Sequence, residues 1–182
     1  MPSTGADILR VTQGASLARK DLEARFESLL AENRASLSRL AFSYTNTAAD
    51  REDLLQDIAL ALWQALPNFR GECSERTFVY RIAQNRALSA LARRRPTPSE
   101  IDDVPPDPAP LVETALARQE ESIHLAVAVR RLPLPYRQVV VLMLEGLEYG
   151  EIAQVLGISE SNVGVRINRA RPLLRQNLGG RR

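Results

Sequence analysis

Toward the C-terminus, Asn162, Arg166 and Arg169 fall four and three residues apart, with Arg171 and Arg175 following. On a helix that spacing gathers an amide and guanidinium groups on an exposed side. Arginine grips guanine edges and phosphates with paired donors, so such a face suits a DNA major groove. An arginine-rich helix is in itself equally a solvated charged surface, and the frame around it separates the two. Ala153 is small where two helices must cross closely, and Gly157 offers the positive φ of a tight inter-helix turn. The Ser159 hydroxyl can accept from the first-turn amides of the next helix. Val163, Ile167, Ala170 and Leu174 recur as its buried stripe. Together they spell a helix-turn-helix over about 149–171, and they point to DNA.

Other chemistry is excluded by what is missing. Cys73 is the single cysteine and His124 the single histidine, so a disulfide within the chain, a zinc cluster and a histidine-based triad are all ruled out. No phosphate-cradling glycine loop and no nucleophile-base pair is found. The expectation is therefore a protein that is not an enzyme, with no catalytic residues, no metal and no cofactor. No apolar run is long enough to span a bilayer, and the N-terminus lacks a secretory signal, so the expected location is cytoplasmic without membrane insertion.

The elements that must position these residues are helical. The chain has 182 residues, 45% of them hydrophobic, enough for one large domain or two small ones. Leu22, Phe26, Leu29, Leu37, Leu40 and Tyr44 recur on one helical face. A second segment from Ala49 to Leu66 repeats the period with Leu55, Ile58, Leu62 and Leu66. A third, from Ser74 to Arg95, uses Phe78, Ile82, Ala83, Ala87 and Leu91. Sustained alternation is absent, which predicts an all-α fold. RRRPTPSEIDDVPPDPAPL then intervenes, and its six prolines forbid a helix. Helical pattern resumes near Glu113, pauses at Leu132 to Pro135, and runs into the helix-turn-helix. The expected organisation is a flexible tail over 1–16, a helical domain over 17–95, a Pro-rich acidic linker over 96–112, a second small helical domain over 113–178 and a basic tail over 179–182.

Charge is separated along the chain although the net value is only +2. From Gly164 to Arg182 every charged residue is arginine, whereas residues 99–121 carry seven acidic groups against Arg118 alone. That contrast fits a basic nucleic-acid face and an acidic connector. Lys20 is the only lysine. A genome rich in G and C, which favours arginine codons, explains this bias more simply than function does.

Read together, the two blocks resemble a known family. DLLQDIALALWQALPNFRGECSERTFVYRIAQNRALSALARRR, from Asp53 to Arg95, is similar to region two of the bacterial sigma-seventy factors. LPLPYRQVVVLMLEGLEYGEIAQVLGISESNVGVRINRAR, from Leu132 to Arg171, is similar to their region four. With a short linker between them, the chain resembles the extracytoplasmic-function (group IV) sigma factors. Both blocks, in order and at this separation, are more specific than a helix-turn-helix alone. The resemblance implies a transcription initiation factor that binds core RNA polymerase and directs it to promoters, reading minus-ten and minus-thirty-five elements and assisting strand opening.

The resemblance also implies roles for residues. Asp53, Gln56, Asp57 and Leu60 would dock on the clamp helices of the polymerase β′ subunit. Taken alone they form an ordinary amphipathic helix with an acidic first turn. Phe69, Arg70, Gly71, Arg81, Asn85 and Arg86 would serve the minus-ten element. Aromatics there can stack on unpaired bases while arginines hold the backbone; Phe78 is better read as core. Asn162, Arg166, Arg169 and Arg171 would read the minus-thirty-five element. Expected partners are core polymerase (β′ clamp helices and β flap), promoter DNA and an anti-sigma factor.

Three positions depart from the family pattern. Ala59 stands where an aromatic is common, and Gly164 and Val165 occupy recognition-helix sites that are more often polar. Pro172 is expected to kink or end its helix, because it lacks a donor and crowds the carbonyl of Asn168. A second function class stays open at this point: an autonomous helix-turn-helix regulator with a fused helical sensing or dimerisation domain.

Overall fold

The computed structural model describes residues 4–93 and 113–179, and among them are seven α-helices and no strand. The first block is α1 (Thr4–Tyr44), α2 (Ala48–Ala65) and α3 (Glu75–Arg93), with one 3₁₀ turn at Leu66–Asn68. The second is α4 (Glu113–Arg130), α5 (Leu134–Leu144), α6 (Tyr149–Leu156) and α7 (Glu160–Gly179). The expected linker and the basic residues Arg181 and Arg182 lie outside the described residues.

Each start has a local cause. Thr47 caps α2, its side chain accepting from the Asp50 amide at 3.1 Å. The Ser74 hydroxyl accepts from the Thr77 amide at 3.0 Å and opens α3. Pro133 precedes α5 and Pro135 lies in its first turn, where no intrahelical donor is needed.

In the first block Leu29, Leu37, Leu40, Leu54, Ile58, Leu62, Val79 and Ala83 are buried where α1, α2 and α3 meet. In the second, Val139, Leu142, Ile152, Val163 and Ile167 are buried between α5, α6 and α7. The two cores run together into one cluster, because α3 packs on α6 and α1 packs on α4 and α5.

The stretch read as a tail over 1–16 lies in α1 from Thr4 onward; it contains no proline after Pro2, and its two glycines, Gly5 and Gly14, each cost a helix at most about 1 kcal/mol. One expectation is corrected. Pro172 neither ends nor marks the end of its helix, for α7 continues through it to Gly179. Anchors on both sides of the proline hold it: Ile167 and Ala170 are buried before it, and after it Asn177 Nδ2 donates to the Ala128 carbonyl of α4 at 3.0 Å.

Candidate nucleic-acid interface

The helix-turn-helix is α6 and α7. Gly157 sits between them with φ 65°, the left-handed conformation that ends α6, and its amide donates to the Ala153 carbonyl. Ser159 then opens α7, its hydroxyl accepting from the Asn162 amide at 3.3 Å. Ala153 is buried, as a close crossing of two helices requires.

On α7, Val163, Ile167 and Ala170 face inward. At 100° per residue Asn162 and Arg169 lie only about 20° apart on the outer side. Both are exposed, and Arg166, half-buried beside them, donates through Nε to Asn162 Oδ1 at 2.9 Å. That bond orients the guanidinium and leaves its two terminal nitrogens to reach outward. Arg171 does not join this group. Nine residues separate it from Asn162, which turns it about 180° around the helix, although it too is exposed.

The loop before α3 is built around aromatic packing. The ring of Phe69, half-buried, lies 4.5 Å from that of Phe78, and the Arg25 guanidinium sits 5.4 Å above the Phe69 centroid. Arg25 is held in turn by Glu75, Nε to Oε1 at 2.9 Å, so α1 and the start of α3 clamp the aromatic pair. Arg70 is exposed next to it. Gly71 has φ 75°, and a Cβ there would meet nothing within 4 Å, so the glycine serves the turn rather than any close approach within the protein. Arg81 and Asn85, one helical turn apart on α3, are exposed, and Arg86 is half-buried. Arg81 donates to the Gln154 carbonyl of α6 at 3.3 Å, so part of this surface faces the second block.

On α2, Asp53, Gln56 and Leu60 are exposed on one face, and Leu60 stays 56% exposed despite being a large apolar side chain. Asp57, half-buried beside them, pairs with Arg93 of α3 at 2.8 Å. The face therefore offers an apolar centre edged by acid and amide groups.

Arginines dominate the seam between the blocks. The C-terminal carbonyls of a helix lack intrahelical partners and carry its negative dipole end. From the second block, Arg137 reaches the Ser43 carbonyl and Arg130 the Thr45 carbonyl at the end of α1, each at 3.3 Å. From the first block, Arg76 donates to the Glu145 carbonyl at the end of α5, and Arg39 binds the Glu145 carboxylate through Nε at 2.8 Å. The hydrogen bond to Glu145 raises Arg39 above the ordinary arginine value, and burial lowers Arg137 below it. Tyr44, buried beneath Arg137, is pushed up by the same desolvation while its hydroxyl donates to Gln84 at 2.8 Å.

All fourteen residues proposed from sequence fall within the described part of the chain. The fold gathers three of the upstream set on α7, four on the α2 face, and the remaining set around the loop and α3. The seam pair Arg39 and Glu145 was not singled out, and no local signal marks it, since the two lie 106 positions apart. Among the described residues no group of acidic, cysteine and histidine side chains could hold a metal ion, and no helix is long and apolar enough to cross a membrane.

Residues 29–97 match the family described as Sigma-70 region 2, and residues 124–174 match Sigma-70, region 4. The chain is 33% identical over 158 residues to the ECF RNA polymerase sigma factor SigM of Mycobacterium tuberculosis, covering 85% of this chain and 77% of that protein. It is 30% identical over 168 residues to the ECF RNA polymerase sigma-E factor of Escherichia coli, covering 84% and 86% respectively. Among solved structures, it is similar to CnrH in complex with the cytosolic domain of CnrY, with TM-score 0.65, 27% identity and coverage of 88% of this chain and 91% of that one. It shares the fold of the sigma factor RpoE from Bartonella quintana, solved with the anti-sigma factor NepR, at TM-score 0.69 and 20% identity, covering 87% and 99%.

Proposed function

The chain belongs to the sigma-70 family, in its extracytoplasmic-function branch, and on that premise we propose how its parts divide the work of a transcription initiation factor. The first block, 17–95, binds core polymerase through the α2 face of Asp53, Gln56, Asp57 and Leu60. Phe69, Arg70 and Gly71 of the loop, with Arg81, Asn85 and Arg86 of α3, capture and help open the minus-ten element. The second block, 113–178, reads the minus-thirty-five element through Asn162, Arg166 and Arg169, while Arg171 holds a phosphate. The protein contributes no catalytic chemistry, needs no cofactor, and acts in the cytoplasm where polymerase meets the chromosome. An anti-sigma protein gripping both blocks is a further expected partner; CnrH, a related structure, was solved with the cytosolic domain of CnrY.

The observation that carries this reading is the outer face of α7, where Arg166 is held by Asn162 at 2.9 Å beside exposed Arg169. Polarised, oriented guanidinium groups on the second helix of a helix-turn-helix suit base edges in a major groove. The test is promoter binding by reconstituted holoenzyme at two salt concentrations over a panel of upstream variants. Arg166→Ala is expected to cost about 1–3 kcal/mol and relax preference at one base position. Arg171→Ala is expected to weaken all sequences alike and flatten the salt dependence. An Arg166→Ala protein with an unaltered preference profile refutes the assignment.

A further inference from the structure

One apolar side chain stands on the outward face of α7 among exposed Ser161, Asn162, Asn168 and Arg169. Val165 lies two residues from buried Val163, which places it about 200° around the helix, nearly opposite the core. It is 47% exposed. Asn162 precedes it by three residues and Arg169 follows by four, so along the axis a branched hydrocarbon group stands between the amide and the guanidinium, about 40–60° to one side of both. Next to it Gly164 carries no side chain, and a Cβ there would lie 3.7 Å from Cε2 of Tyr149, whose ring flanks the helix at that point. No bulky group on that flank of α7 itself holds the helix axis away from a surface it approaches.

The major-groove edges of the four base pairs differ in donors and acceptors, and only thymine adds an apolar group, its C5 methyl. The exposed arginines that follow Val165 on α7, Arg169 and Arg171, favour a polyanion over an apolar protein surface. We propose that Val165 is a specificity-determining residue that selects thymine at one position of the upstream element by packing against the C5 methyl. The inference rests on α7 being the reader of that element, and it adds which chemical feature one residue reads.

Deoxyuridine isolates that feature, because it has the hydrogen-bonding edge of thymine and lacks only the methyl. A preferred upstream sequence is first selected by wild-type holoenzyme from a promoter library randomised across the element. Each thymine on either strand is then replaced singly by deoxyuridine and the binding constant measured. At one position the replacement is expected to weaken wild-type binding about three- to fivefold, the contribution of one buried methyl. With Val165→Ser holoenzyme, thymine and deoxyuridine at that position are expected to bind equally, and the remaining positions to keep their preferences. Val165 is exposed, so the variant is expected to melt as the wild type does; Val165→Ala provides a second, uncharged and non-hydroxylic control with the same expected loss. Deoxyuridine tolerated at every position, or an unchanged methyl effect in both variants, overturns the proposal while leaving α7 as the reader. A wild-type holoenzyme that selects no upstream sequence overturns the reader assignment and this inference with it.

Discussion

Leu60 and Leu62 lie two residues apart on α2 and are expected to fail in opposite ways. Leu62 is fully buried, and Leu60 is 56% exposed with exposed Asp53 and Gln56 on its side of the helix. Full burial of a leucine side chain is worth about 1.5–3 kcal/mol. A docked partner can cover only the part still in water, about half, and alanine retains the Cβ. Leu60→Ala is therefore expected to lose about 1 kcal/mol of core-polymerase binding, about a fivefold rise in Kd. Because the side chain is not in the core, unfolding should be unchanged within about 0.5 kcal/mol. Leu62→Ala should instead cost about 2–5 kcal/mol of stability through the cavity it leaves. The assay is a titration of fluorescently labelled protein with core polymerase, paired with urea unfolding followed by circular dichroism. Wild-type affinity for Leu60→Ala refutes the docking face; a stability loss comparable to that of Leu62→Ala would show that Leu60 supports the fold.

Tyr44→Phe removes the donor to Gln84 Oε1, leaving a buried amide whose Nε2 already has no partner among the described residues. A loss of about 1–3 kcal/mol is expected in urea unfolding, and Tyr44→Phe with Gln84→Met should recover much of it, because no polar group then remains to be satisfied. Gly164→Ala meets only ordinary contact with Tyr149 at 3.7 Å, so the helix should gain up to about 1 kcal/mol. Calorimetry should show the melting temperature rise by about 2–4 °C, and a fall would mean that the added methyl is not accommodated. Phe69→Ala strips the half-buried partner from Phe78 and Arg25. A modest stability loss of about 1–2 kcal/mol is expected, together with reduced permanganate reactivity of thymines in the opened promoter; full reactivity would make the aromatic pair purely structural.

The helix-turn-helix was legible because its constraints are local. Gly157 needs its left-handed turn, Ser159 caps the next helix, and the period of Val163, Ile167 and Ala170 fixes which face is outward. The three helices of the first block could be read for the same reason. Periodicity marks a stripe about 100° wide and packing chooses within it, so Leu54 rather than Leu55 is the buried residue of its pair. The continuation of α7 past Pro172 was not legible, since its anchor is Asn177 on the Ala128 carbonyl, 49 positions away. Helical spacing alone, by contrast, places Arg169 beside Asn162 and turns Arg171 about 180° away from it.

The amino-acid sequence by itself determined α2, α3 and the helix-turn-helix with its Ser159 cap, because propensity, capping and periodicity act over a few residues. Only the tertiary structure decided how the blocks meet. Helix ends leave carbonyls without partners, and the arginines that satisfy those of α1 and α5 come from the opposite block. A donor and an acceptor so far apart in the chain become neighbours only when burial of Leu132, Val139 and Leu142 on one side and Leu40 and Tyr44 on the other has drawn the helices into one cluster.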